Sequence, residues 1–86
     1  MKDLERVLKA LANRRRLAII KYLKRTGGAP VTNIAEAIDL SFRSTSKHLG
    51  VLSAVDILEK EQISLQIFYR LSPIQKQATK HIISLL

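Results

Sequence analysis

From Leu4 to about Val55 apolar residues recur at intervals of three and four, and beyond Asp56 they recur at every second position. A chain of 86 residues that mixes the two periods has to pack several short helices against a small amount of sheet, because the two periods present their apolar faces differently. Leu4, Val7, Leu8 and Leu11 predict a first helix with Asp3 as its N-cap. Asn13 caps a second, with Leu17, Ile20 and Leu23 on its apolar side, and Gly27-Gly28-Ala29-Pro30 ends it. Thr32 is expected to cap a short third helix bearing Ile34, Ala35 and Ile38, and after Asp39 and Leu40, Ser41 caps a fourth that runs to about Val55. Residues 58–62 and 65–71 alternate as a strand pair, with Ile63, Leu65 and Ile67 on one face and Gln62, Ser64, Gln66, Phe68 and Arg70 on the other. Pro73 suits the first turn of a last helix striped by Ile74, Ala78, Ile82 and Leu85.

The expected order is therefore α-α-α-α-β-β-α in one domain, residues 1–86, mainly α with a small β-hairpin. A short helix, a tight turn and a longer helix followed directly by a hairpin is the pattern of a winged helix-turn-helix. Such a fold alone does not fix function, so the surface of the fourth helix has to decide.

Lys and Arg number 15 against 7 Asp and Glu, a net charge of +8, and 11 of those cations lie in residues 1–50 beside 4 carboxylates. Basic charge gathered in one half favours a polyanionic partner. There is no cysteine, which removes thiolate metal sites, disulfides and cysteine nucleophiles. No apolar run reaches the ~18 residues of a membrane span, and the first residues lack a secretory signal, so a cytoplasmic location without membrane attachment is expected.

At ~100° per residue the fourth helix places Thr45, Leu49 and Leu52 on one side and Arg43, Lys47, Gly50 and Ala54 on the other. The second group offers two cations and then small residues, so a DNA groove floor can approach while Arg43 reads a guanine edge and Lys47 meets phosphate. A merely solvated basic face is the alternative. Ser44 flanks this side, and Thr45 stands among the candidate DNA-binding residues as part of the same helix although its angle groups it with the core. Thr32 and Asn33, at the start of the third helix, are candidates for a phosphate contact or for ordinary capping. Arg14-Arg15-Arg16 puts cations at a helix start, against the macrodipole; Arg14 and Arg15 are open to a nucleic-acid role or to simple solvation, and Arg16 to internal packing.

Two segments resemble a known family. Leu11-Ala12-Asn13-Arg14-Arg15-Arg16-Leu17-Ala18-Ile19-Ile20 is similar to the "LadptRLrIL" segment of ArsR-type (arsenic-repressor-like) winged-helix regulators, and Ser44-Thr45-Ser46-Lys47-His48-Leu49-Gly50-Val51-Leu52 resembles their "stvSrHLkvL" recognition helix. Ile57-Leu58 and Tyr69-Arg70-Leu71 resemble the segments flanking the family's wing. The resemblance implies a homodimeric, sequence-specific repressor on double-stranded DNA with a palindromic operator. It also implies a dimer interface from the first and last helices, Leu4, Val7, Leu8 and Leu11 with Ile82 and Leu85, the alternative being that both helices pack within one chain onto its own core. His48 aligns with the family's helix histidine and is expected to make a structural hydrogen bond or a phosphate contact.

Several positions depart from the family. Its cysteine motif is absent, residues 32–40 offer only Glu36 and Asp39 as ligands, and the last helix holds His81 without a carboxylate, so neither metal nor cofactor is expected. Asp56 replaces the glycine after the recognition helix and needs a left-handed cap. The wing tip lacks glycine and cations, leaving Gln62 and Gln66 as weak DNA contacts and Ile63 as an apolar tip. That tip supports the second reading, a winged-helix protein-interaction module with only nonspecific DNA affinity. No motif of an enzyme stands out.

Overall fold

Five helices and three strands follow one another in the computed structural model, which describes residues 1–86: α1 Lys2–Leu11, α2 Arg14–Thr26, β1 Ala29–Pro30, α3 Val31–Ala37, α4 Phe42–Ala54, β2 Leu58–Ile63, β3 Gln66–Leu71 and α5 Gln77–Ser84. The winged helix-turn-helix order expected from the spacing is present, with β1 added.

Local chemistry accounts for most boundaries. The Asn13 side chain accepts from Arg15 N at 2.9 Å and Arg16 N at 3.1 Å, so α2 starts where a cap can satisfy its first donors. It ends at Gly27, whose φ of 80° is the left-handed conformation that closes a helix without a Cβ clash. Ser41 caps α4 through its hydroxyl, which accepts from Ser44 N at 3.1 Å. Asp56 is left-handed at φ 61° directly after α4, as expected, and Asp39 does the same at φ 54° in the turn between α3 and α4.

Three starts differ from the sequence expectation. The cap of α1 is Met1, and Asp3 lies inside the first turn, where its charge favours the helix dipole without a side-chain capping bond. The cap of α3 is Pro30, because β1 runs straight into the helix; Thr32 sits in the first turn with its hydroxyl donating to Asn33 Oδ1 at 3.3 Å. Pro73 precedes α5 by four positions instead of opening it. The Gln75 amide donates to Ile57 O at 2.8 Å and to Ser72 O at 2.9 Å, holding the segment in a non-helical path until Lys76.

The sheet is antiparallel with order β1-β3-β2. In the hairpin Gln62 pairs with Ile67 and Ile63 with Gln66, leaving Ser64-Leu65 as a two-residue turn with Ser64 at φ 58°. Directly opposed residues share a face, so Gln62 and Ile67 lie on one side and Gln66 and Ile63 on the other. The expected grouping of Gln62 with Gln66 is thereby corrected: the two turn residues invert the alternation.

The core joins Val7, Ala10 and Leu11 of α1, Ile19, Ile20 and Leu23 of α2, Ile34 of α3 and Leu49 and Leu52 of α4, closed by Ile57, Leu58 and Tyr69. Val7 and Leu11 are 2% and 4% exposed within the single chain, so they are core residues and not part of a free dimer face. Leu4 and Leu8, on the outer edge of the same stripe, stay exposed, as does Leu85, while Ile82 is half-buried. No helix is long and apolar enough to cross a membrane.

Candidate nucleic-acid interface

Helix α4 packs against α1, α2, α3 and β2 through its Leu49 and Leu52 side. This presents Arg43, Lys47, Gly50 and Ala54 outward, all exposed. Neither Arg43 nor Lys47 is engaged in an ion pair. A Cβ on Gly50 would meet no atom within 4 Å. Nothing inside the chain requires glycine there, although glycine weakens a helix interior by about 1 kcal/mol relative to alanine; the result is an open stretch of backbone one turn beyond Lys47.

Thr45 is fully buried and so is removed from the candidate DNA contacts. Its Oγ1 has no hydrogen-bond partner in the chain. A buried unsatisfied hydroxyl costs about 1–3 kcal/mol, so Thr45→Val is expected to raise stability by about 1 kcal/mol in urea denaturation, with DNA affinity unchanged.

His48 is half-buried on the inner border of α4. The Arg16 guanidinium lies 3.2 Å from its Nδ1 and also donates to Lys9 O at 3.2 Å and to Ala10 O. Arg16 thus packs internally and ties the end of α1 to α4. His48 therefore makes a structural contact; its Nδ1 accepts from a cation, which requires neutral imidazole. Burial first, then Arg16 and Arg15, hold the His48 pKa below its usual value. The unfolded chain then binds the proton more readily, so this contribution to stability is complete above about pH 6.5 and is lost as pH falls toward the lowered folded value. The melting temperature should fall between pH 7.5 and 5.5, and His48→Asn, which keeps an acceptor, should flatten that slope.

Among the other basic residues, Arg15 donates to Ile38 O at 3.2 Å and so caps the end of α3, while Arg14 stays exposed. Thr32, Asn33, Gln62 and Gln66 are exposed, and Ser44 is half-buried. Thr32 and Gln66 line one cleft of about 320 Å³ between the start of α4 and the wing, together with Phe42, Leu65, Ile67 and Tyr69. This apolar cleft leaves no local pattern in the sequence; Phe42 is 57% and Leu65 96% exposed. On the wing, Arg70 donates to Glu59 at 2.9 Å and Glu61 at 3.0 Å, which raises its pKa further and occupies it internally. No three His, Asp or Glu side chains come together as a metal site.

A family model described as a helix-turn-helix domain matches residues 11–61. Solved structures resemble the whole chain. HlyU from Vibrio cholerae is 28% identical, with a TM-score of 0.83 over 98% of this chain and 87% of that one. The homodimeric winged helix-turn-helix DNA-binding domain Mb0332 from Mycobacterium bovis, described as a possible ArsR-family transcriptional regulator, is also 28% identical, with a TM-score of 0.83 over 98% of this chain and 74% of that one. The transcriptional repressor PagR of Bacillus anthracis is 26% identical, with a TM-score of 0.80 over 98% and 92%. No curated protein sequence gives a significant match.

Proposed function

The chain belongs to the ArsR-type winged helix-turn-helix transcriptional regulators, and from that premise we propose that it is a homodimeric repressor that reads a palindromic operator with α4. The outward face of α4, with Arg43 and Lys47 free of acidic partners and an open Gly50 one turn further on, carries this reading. In the major groove Arg43 reads a guanine edge and Lys47 neutralises phosphate. Thr32, Asn33 and Ser44 add phosphate contacts at the approaches to α4, and Gln62 and Gln66 touch DNA from opposite sides of the wing. Exposed Leu4, Leu8 and Leu85, with half-buried Ile82, supply the apolar surface for pairing two chains, in keeping with the homodimeric relative from Mycobacterium bovis. Such a regulator works in the cytoplasm by blocking access to the DNA it occupies, and needs no metal or cofactor for binding.

Fluorescence anisotropy with a duplex selected from a random pool and its scrambled counterpart, across a salt series, tests this. A preference of about 10³ or more at near-physiological salt is expected. Equal, steeply salt-dependent binding to both duplexes would overturn it and favour a protein-interaction module, the reading that the exposed Leu65 and Phe42 beside the apolar cleft support.

A further inference from the structure

The face of α2 turned away from the core forms one wall of an open groove of about 890 Å³, whose other walls come from the end of α3, the turn after it and Leu86. None of its lining residues belongs to α4 or the hairpin, so it lies outside the surface assigned to DNA. Five cations line it with Asp39 as the one acidic side chain, and none of the five is in an ion pair. Two of them are committed to backbone carbonyls, Arg15 to Ile38 O and Lys24 to Ile83 O. Arg14, Lys21 and Arg25 remain free and exposed, in a row along α2, with Arg25 stacked 5.6 Å over the Tyr22 ring.

Between the cations the floor is apolar. Ala18 and Ala37 are small and exposed, and Tyr22 and Ile38 are half-buried beside them. Eleven positions separate Arg14 from Arg25, about 16 Å of helix, or three turns. Phosphate needs only the cations, whereas this floor offers contact area to side chains.

We propose that the groove docks an acidic amphipathic helix of a partner protein, its carboxylates on Arg14, Lys21 and Arg25 and its apolar stripe over Ala18 and Tyr22. Because the groove and α4 share no residue, the partner can be held while α4 is occupied.

The probe is a fluorescein-labelled three-turn peptide with leucines at helical i, i+3, i+4 and i+7 positions and glutamates elsewhere, titrated with the full chain and compared with a scrambled peptide of the same composition. Specific binding is expected to be about tenfold tighter than for the scrambled peptide, and Lys21→Glu to weaken it about tenfold. Ala18→Arg, at an exposed position that tolerates a long side chain, separates shape from charge: it fills the floor while adding a cation, so a groove predicts weaker binding and a simple electrostatic surface predicts tighter binding. Equal affinity for both peptides, unchanged or tighter binding by Ala18→Arg, or full displacement of the peptide by an operator duplex would overturn the proposal.

Discussion

Shortening Leu49 to alanine is expected to lower the folding free energy by about 3 kcal/mol, within the roughly 2–5 kcal/mol typical of a buried leucine. Leu49 is 0% exposed and stands where α4 meets the other helices and β2. In a domain of this size that corresponds to a fall of roughly 12–24 °C in melting temperature. Val51, two positions on, is 40% exposed, and Val51→Ala is expected to change stability by less than about 0.5 kcal/mol. The pair tests the rotation of α4. If both variants melt alike, Leu49 is not on the core face, and Arg43 and Lys47 lose the orientation assigned to them. Both should be compared at one protein concentration, because pairing of chains makes melting concentration-dependent.

Replacing Arg43 by alanine is expected to cut the preference for the selected over the scrambled duplex by roughly 5- to 150-fold per half-site, the loss of one bidentate base contact of ~1–3 kcal/mol from each chain. Lys47→Ala should weaken all duplexes by a similar factor and make the dependence of log affinity on log salt shallower by about one per chain. The two outcomes separate base reading from charge neutralisation on a single exposed face. If Arg43→Ala weakens selected and scrambled duplexes equally, Arg43 is a phosphate contact, and the source of specificity moves to the Phe42 cleft or the wing.

What the sequence revealed follows the range of the interactions. Asn13, Ser41, Gly27 and Asp56 act on their own helix ends, and each was legible from its position beside an apolar repeat. The division of α4 into Arg43–Lys47 and Leu49–Leu52 sides follows from angle alone. Features that depend on distant partners were hidden. β1 is only Ala29–Pro30, and its pairing with Tyr69 and Phe68 leaves no local pattern. Gln75 bonds to Ile57 across the chain and delays α5 past Pro73. The Ser64-Leu65 turn inverts the face of every residue after it. On α1 the apolar stripe has two edges, and only the packing shows that Val7 and Leu11 turn inward while Leu4 and Leu8 do not.

The Arg16 guanidinium spans Lys9, Ala10 and His48, and so acts as a brace between two elements with different duties. If two chains pair through α1, as proposed, this brace and the direct packing of α1 on α4 together set the distance and tilt between their α4 helices. The pitch of DNA tolerates little error in that separation. In the proposed dimer, a side chain outside the base-reading face of α4 thus bears on whether both half-sites are met at once.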